Sequence, residues 1–133
     1  MIVDQEWTDY ELSFYVSNMQ CQEHVGSRGL TVGLRVQDAN NMVALRILDQ
    51  DYCGGTWGRF QNSVFDAVPN SNFKLPPVDS NGGRQITIRV QGNTFSTPIG
   101  TSVVLENYPT GGIAFISAEG VTVDNVRVIP LTP

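Results

Sequence analysis

The stretch GLTVGLRVQDANNMVALRILD, from Gly29 to Asp49, decides how this chain folds. Apolar residues alternate with polar or small residues on both sides of the segment QDANN. The apolar positions of the two halves are Leu30, Val32, Leu34, Val36, Val43, Leu45 and Ile47. A two-residue period places successive side chains on opposite faces of a β-strand, and Asp and Asn favour the turn between strands. We therefore predict a β-hairpin with one apolar face and one face that bears Arg35 and Arg46.

Two strands alone are barely stable in water, so other strands must cover the apolar face. Similar alternation, or a short apolar run, recurs between turn-forming residues along the chain, and no 3.6-residue helical period competes with it. The further predicted strands are residues 7–17, 63–67, 84–91, 94–97, 102–106, 112–117 and 121–129. Glycines in residues 50–60 and prolines in residues 61–83 predict a long, irregular connection there.

The last predicted strand changes phase, because Val121 and Val123 have one parity whereas Val126 and Val128 have the other. A shift of one residue moves every following side chain to the opposite face, so we expect a β-bulge at Asp124-Asn125. Seven to nine short strands separated by turns predict an all-β fold, an antiparallel β-sandwich. Residues 1–133 are expected to form a single domain of this kind.

Composition narrows the classes of function. The chain is 41% hydrophobic and 16% charged, with no apolar run near the ~20 residues of a membrane-spanning helix. A net charge of -5 argues against a nucleic-acid partner, since such proteins usually carry a basic stripe. The first residues show no signal-peptide pattern.

The two cysteines, Cys21 and Cys53, flank the hairpin and are expected at the same end of the sheet. They form either a disulfide or two separate thiols. A disulfide would place the mature protein in an oxidising compartment.

The order of short motifs resembles a known superfamily. The motifs are WTDYEL, GLTVGLRVQDANN, ITIRVQGN, GGIAF and VDNVRV, and together they span residues 7–129. This order is similar to the concanavalin A-like (laminin G-like) jelly roll, particularly the domain that accompanies bacterial glycoside hydrolases and sugar-binding surface proteins. The resemblance implies two stacked antiparallel sheets, a concave face or loop rim used for glycans, and often a structural calcium.

Two features depart from this pattern. Family members usually have one or two strands before the WTDYEL segment, and only six residues precede Trp7 here. We therefore expect the jelly roll to lack its first strand, which would leave an open edge for pairing with another chain. The connection from residue 50 to residue 83 is also longer than usual.

Outward-facing positions on the predicted strands supply one group of candidate ligand-binding residues. Arginines beside a tyrosine and a carboxylate suit hydrogen bonding to sugar hydroxyls or to a uronate. This group comprises Glu11, Tyr15, Arg35, Arg46, Arg89 and Gln91. The alternative is the ordinary solvated face of an antiparallel sheet.

The glycine-rich connection supplies a second group. Tyr52 and Trp57 are predicted to present flat rings on which a sugar stacks, beside the hydrogen-bonding groups of Arg59 and Gln61. In the alternative interpretation, Trp57 folds back and covers the end of the sandwich, which buries its apolar surface.

Carboxylates are the candidate residues for catalysis and for metal binding. Glycoside hydrolysis uses two carboxylates roughly 5–10 Å apart, and the spacing of Glu6, Asp9 and Glu11 does not place all three on one face of a strand. We therefore expect no enzymatic activity. Asp124 at the predicted bulge is a candidate calcium ligand, whereas the alternative is a bulge stabilised by its own side chains.

These observations predict a non-catalytic, extracellular carbohydrate-binding module whose partner is a glycan or polysaccharide. Two alternatives remain open. One is a structural subunit of a surface or filamentous assembly, joined through an open sheet edge. The other is a fragment of a glycoside hydrolase.

Overall fold

The computed structural model describes residues 2–19, 29–48, 54–98, 100, 102–106, 108–117 and 121–131. Twelve β-strands and no helix occur in these ranges, so this part of the chain contains no helix able to span a membrane. In chain order the strands are β1 (Ile2–Trp7), β2 (Tyr10–Ser17), β3 (Gly29–Asp38), β4 (Asn41–Leu48), β5 (Gly54–Gln61), β6 (Val64–Ala67), β7 (Phe73–Lys74), β8 (Gly83–Gln91), β9 (Thr94–Ser96), β10 (Val103–Val104), β11 (Gly111–Ser117) and β12 (Thr122–Pro130).

The strands form two antiparallel sheets. The seven-stranded sheet has the order β1-β11-β3-β4-β5-β6, and β7 also pairs with β5. The five-stranded sheet has the order β10-β9-β8-β2-β12. Every strand pair is antiparallel, which confirms the predicted all-β sandwich.

The hydrophobic core lies between the sheets and is built on the β3–β4 hairpin. Leu30, Val32 and Leu34 of β3 are at most 1% exposed, and the five-stranded sheet covers them with inward-facing side chains. Those covering side chains are Tyr10, Leu12, Phe14, Val16, Ile86, Ile88, Val90 and Phe95. Burial of each large apolar side chain contributes about 1.5–3 kcal/mol, so the predicted apolar face is the main source of cohesion.

The start of the chain differs from the prediction of one strand over residues 7–17. Residues 2–7 form β1, which pairs with β11 in register Ile2 with Ala114, whereas β2 belongs to the other sheet. Val3 and Trp7 pack against the core, and this burial holds β1 in place. The expectation of a missing first strand is therefore wrong, because β1 covers that edge of β11.

The glycine-rich segment was expected to be irregular, and this prediction is also wrong. Gly54–Gln61 forms β5, which lies between β4 and β6. A Cβ on Gly55 would lie 2.8 Å from the Phe73 ring, and one on Gly58 would lie 2.5 Å from the Phe65 ring. The glycines therefore allow these aromatic rings to lie directly on the strand.

Two bulges set the direction of side chains. The register of β12 shifts between Asp124 and Arg127, and Asn125 has a φ of +53°, which confirms the predicted bulge. A second register shift lies in β3 between Leu34 and Asp38, with a φ of +48° at Arg35. This bulge turns the Arg35 side chain into the core, so Arg35 and Arg46 do not share a face.

Candidate functional site

The structure separates the predicted ligand-binding residues instead of gathering them. Two of them are buried, two lie on the outer face of the five-stranded sheet, and three lie along β4 and β5. The buried residues are Arg35 and Trp57, and the residues on the outer face of the five-stranded sheet are Tyr15 and Arg89. The residues along β4 and β5 are Arg46, Arg59 and Gln61. Tyr52 and the two cysteines, Cys21 and Cys53, lie outside the described residues.

Trp57 is not an exposed stacking surface, which corrects the prediction. Its side chain is 0% exposed in the core, with its ring centroid 6.3 Å from that of Phe95. The backbone around it is tied down by Ser71, whose hydroxyl accepts a hydrogen bond from the Trp57 amide at 3.2 Å. The strand parity of β5 causes this placement, because Trp57 faces inward between the outward-facing Thr56 and Gly58.

Arg35 is likewise a structural residue, and its predicted role on a ligand-binding face is wrong. The residue is 1% exposed, and its Nη2 atom lies 3.3 Å from an Asp9 carboxylate oxygen. Its guanidinium also donates to the carbonyls of Thr8, at 2.8 and 3.2 Å, and of Tyr108, at 3.3 Å. Buried charges need such pairing, so Arg35 joins β3 to the β1–β2 turn and to the segment before β11.

The outer face of the five-stranded sheet has its polar groups paired with one another. The Tyr15 hydroxyl donates to Asp79 Oδ1 at 2.8 Å, and Arg89 lies 3.9 Å from a Glu11 carboxylate oxygen. The Tyr15 hydroxyl and the Gly83 amide hold the pKa of Asp79 below its usual value. Burial, together with the Asp79 carboxylate, raises the pKa of Tyr15. These pairings favour the solvated-face interpretation for Tyr15 and Arg89.

Arg59 and Gln61 lie near the end of β5, beside Tyr108. Arg59 pairs across the strands with Asp66 at 3.6 Å, and the Tyr108 hydroxyl donates to the Phe60 carbonyl at 2.9 Å. Burial raises the pKa of Tyr108, and the positive charge of Arg59 opposes that shift. This end of the sheet is therefore held by local contacts.

Arg46 is arranged differently. It lies on the outer face of the seven-stranded sheet, in a cross-strand row with Thr31 on β3 and Thr56 on β5. Its guanidinium carbon stacks over the Phe65 ring, 5.0 Å from the centroid. No hydrogen bond or ion pair joins Arg46 to another of the described residues. Its five N–H donors are therefore positioned by stacking but not used within the described protein.

The surroundings of Arg46 add further hydrogen-bonding groups. The Thr56 hydroxyl donates to Oδ1 of the exposed Asn72 side chain at 2.7 Å, so the Asn72 NH₂ group is not used in this contact. We call the surface formed by Thr31, Arg46, Thr56, Phe65 and Asn72 the Arg46 patch. It combines a planar cation, hydroxyls, an amide and an aromatic ring on one face.

A row of small residues lies next to this patch and shapes it. The row crosses five neighbouring strands in register and consists of Ala114, Gly33, Ala44, Gly58 and Ala67. Because Gly58 lacks a side chain, the Phe65 ring lies directly against this position, and Arg46 stacks over the same ring. Val36, Met42 and Phe60 pack over another part of the row, which forms a second, smaller apolar cluster on this face.

Phe65 and Asn72 were not identified from the sequence. The sequence predicts a short strand at Phe65 but an irregular connection in place of β5, so it assigns Phe65 no cross-strand partner. Asn72 lies in an irregular segment with no periodic signal. The usable signal was the pair of glycines Gly55 and Gly58, one on each face of an extended segment and close in sequence to Phe65 and Phe73.

The described carboxylates do not assemble into a metal site. No group of three or more metal-ligating side chains occurs within the described ranges. Asp124, the predicted calcium ligand, accepts a hydrogen bond from the Asn125 amide at 2.8 Å. This local hydrogen bond stabilises the bulge, and calcium binding by Asp124 stays a prediction.

Comparisons with known proteins address the fold. No protein-family model matches the sequence, and a search of curated proteins finds no match. Carbohydrate-binding module CBM66 from Bacillus subtilis superimposes with a TM-score of 0.69 at 13% identity, over 93% of this chain and 76% of that chain. A toad ovary galectin in complex with thio-digalactose gives 0.67 at 9% identity, over 92% and 91%.

Chicken galectin 2 gives a TM-score of 0.65 at 10% identity, over 96% of both chains. These neighbours have the concanavalin A-like jelly-roll fold, so the fold expected from the sequence resemblance is confirmed. At such low identity, the likeness establishes architecture, and function has to be argued from the residues of this chain.

Proposed function

We propose that this protein is a non-catalytic carbohydrate-binding module and that the Arg46 patch is its glycan-binding surface. One observation carries the proposal: Arg46 is fixed over Phe65 while its donors have no acceptor among the described residues. The fold neighbours support the class, since they include a carbohydrate-binding module and a galectin solved with thio-digalactose.

The chemistry of the patch suits a sugar. A pyranose presents hydroxyls around its rim and C–H groups on its faces. The Arg46 fork and the Asn72 amide are planar donors that match paired hydroxyls or a carboxylate, and charge-assisted hydrogen bonds are the stronger ones. Phe65, whose ring is stacked by Arg46, is partly exposed and adds apolar surface at the edge of the patch.

The absence of enzymatic activity remains part of the proposal. Asp9 is engaged with Arg35 and with the Gly92 amide, and Glu11 lies beside Arg89. Each of these acids is thus engaged by groups of the protein itself, whereas glycoside hydrolysis uses a pair of carboxylates that flank the scissile bond.

We also propose an extracellular location, where polysaccharides and glycoconjugates are available. This rests on the proposed function and on the two cysteines of the sequence. Mass spectrometry of unreduced protein purified from its native source tests it. A Cys21–Cys53 disulfide supports an oxidising compartment, and two free thiols contradict that argument.

Glycan-array screening followed by calorimetry tests the proposal. Arg46→Met keeps an unbranched apolar side chain over Phe65 but removes all five donors, and we expect the affinity to fall about tenfold or more. Arg127→Met is the matched control, because Arg127 is an exposed arginine on β12 of the other sheet. It loses the same charge and should bind normally.

The screen includes neutral and uronic acid-containing glycans, which separates hydroxyl from carboxylate recognition. Both variants are first compared with the wild type by circular dichroism and thermal unfolding. If Arg46→Met binds as well as the wild type, the Arg46 patch is not the site. If no glycan on the array binds the wild type, the carbohydrate-binding function itself is wrong.

A further inference from the structure

The arginines of the described strands differ in whether a carboxylate balances their charge. Three of them form ion pairs, namely Arg35 with Asp9 at 3.3 Å, Arg59 with Asp66 at 3.6 Å and Arg89 with Glu11 at 3.9 Å. Arg46 has no such partner within the described ranges, and its neighbours across β3 and β5 are Thr31 and Thr56. The positive charge of Arg46 is therefore not balanced by any described residue.

The surroundings of Arg46 limit the hydration of its charge. The side chain starts on β4 and reaches the Phe65 ring of β6, with the guanidinium carbon 5.0 Å from the ring centroid. Arg46 is half-buried, whereas Arg127, which also has no carboxylate partner among the described residues, is exposed on β12. Partly buried charges are screened less by salt and water than exposed ones, so an anion gains more at Arg46 than at Arg127.

The unused hydrogen-bonding groups of the patch are mostly donors. Arg46 offers five N–H groups and no acceptor, and the NH₂ group of Asn72 is not used in its contact with Thr56. The Thr56 hydroxyl hydrogen and Asn72 Oδ1 are already joined in that contact. An ionised carboxylate only accepts hydrogen bonds, whereas a sugar hydroxyl also has a hydrogen to donate. The patch therefore matches a carboxylate better than it matches a pair of hydroxyls.

We propose that the Arg46 patch selects an acidic sugar, with the Arg46 guanidinium bound to the carboxylate of a hexuronate residue. This inference rests on the proposed glycan-binding function and adds the charge class of the ligand. The guanidinium fork matches a planar carboxylate through two parallel hydrogen bonds.

The net charge of the whole chain makes this selection local. A charge of -5 repels anions at long range, but salt screens interactions beyond about 8 Å at physiological ionic strength. Recognition therefore depends on contact with Arg46 and not on a general attraction for polyanions.

Oligosaccharides of galacturonate, glucuronate and mannuronate, each as the free acid and as the methyl ester, test the charge class. Esterification removes the charge and keeps the pyranose ring, so the ratio of the two affinities isolates the contribution of the carboxylate. Calorimetry should find an acid that binds the wild type about tenfold more tightly than its ester. Raising the salt from about 0.15 M to about 0.5 M should weaken binding of the acid and leave that of the ester unchanged.

Three variants assign the preference to its residue. Arg46→Met should make the acid and the ester bind equally, because it removes the cation and the fork together. Arg46→Lys keeps the charge without the fork, so it should retain only part of the preference. Arg127→Met is the matched control, since it removes the same charge from an exposed position outside the patch and should leave the ratio unchanged. If Arg46→Met does not fold, Arg46→Lys and the salt dependence of the wild type still test the proposal.

Three results would overturn the selection of an acidic sugar. The first is that no acid binds the wild type better than its ester, while a neutral glycan loses affinity in Arg46→Met; the proposed function would then stand without this inference. The second is that Arg46→Met folds and keeps the preference for the acid. The third is an equal loss of acid binding in Arg46→Met and Arg127→Met, which would show a general electrostatic attraction. If no acid, ester or neutral glycan binds the wild type, the carbohydrate-binding function itself is wrong.

Discussion

At the scale of single residues, the position of Trp57 on β5 directs its ring into the hydrophobic core. Its side chain is fully buried, yet Nε1 has no hydrogen-bond partner among the described residues. Removing the ring should cost about 3–5 kcal/mol in Trp57→Ala, whereas Trp57→Phe also removes the orphan donor and should cost far less. Urea unfolding followed by circular dichroism measures both. An equal loss of unfolding free energy in the two variants would show that Nε1 has a hydrogen-bond acceptor in the wild type.

Tyr10 makes the stability sensitive to alkaline pH. Burial raises the pKa of Tyr10 to about 12, and its hydroxyl accepts a hydrogen bond from the Arg35 amide. The unfolded pKa is near ~10, so the stabilisation is complete below about pH 10 and is lost as the pH rises toward 12. Unfolding free energies at pH 7, 10 and 11 should fall more steeply for the wild type than for Tyr10→Phe.

At pH 7 the Tyr10→Phe variant should lose about 1 kcal/mol, because the buried Arg35 amide loses its acceptor. Tyr10→Phe should therefore have a lower free energy of unfolding than the wild type at pH 7, but it should lose less of that free energy as the pH rises. Parallel pH profiles for the two proteins would contradict the assigned role of Tyr10.

At the scale of elements, predictions from periodicity were reliable where one face of a strand is apolar. The β3–β4 hairpin as far as Leu34 and the inward positions of β2 and β8 follow from alternation alone. Val36, which was predicted on the same inner face, lies beyond the bulge and packs with Met42 in the separate outer cluster, so that prediction is wrong. Periodicity was inadequate where a bulge shifts the alternation of a strand. It was also inadequate where a ring from a neighbouring strand fills the space above a glycine. Arg35 turns inward at a bulge with no local signal in the sequence, and the glycines of β5 are explained only by rings from β6 and β7.

The glycines of β5 allow a direct test of this explanation. A Cβ on Gly58 would lie 2.5 Å from the Phe65 ring and 2.6 Å from the Asp66 carbonyl, whereas the nearest atom to a Cβ on Gly54 is 3.8 Å away. Gly58→Ala should therefore cost about 1–3 kcal/mol by forcing β6 away from β5, and Gly54→Ala should cost little. Equal denaturation midpoints for the two variants would show that β6 moves freely.

The same substitution connects folding to the proposed site. Phe65 supports Arg46, so displacement of β6 should also weaken glycan binding in Gly58→Ala. The candidate site was only partly predictable for this reason. Arg46 was identified from strand alternation, whereas Phe65 and Asn72 gain their roles from pairing across β4, β5 and β6.

At the scale of the whole molecule, the sheet edges decide between a binding module and a building block. The edge strands are β1, β6 and β7 in one sheet and β10 and β12 in the other. β6 has four residues and β10 has two. The longest, β12, carries a bulge, the exposed side chains of Asp124 and Arg127, and a terminal Pro130. Short, bulged or charged edges discourage pairing with a second chain.

We therefore expect a monomer in solution, which would argue against the structural-subunit alternative. Light scattering at about 100 μM should give the mass of one 133-residue chain, and Val126→Lys on β12 should not change it. A dimer in the wild type that Val126→Lys dissociates would contradict this expectation and place the contact on β12. In that case β12 would form the contact between the two copies and the outer face at Arg46 would stay open to glycans. The paired copies would then bind multivalent glycans more tightly than either copy alone.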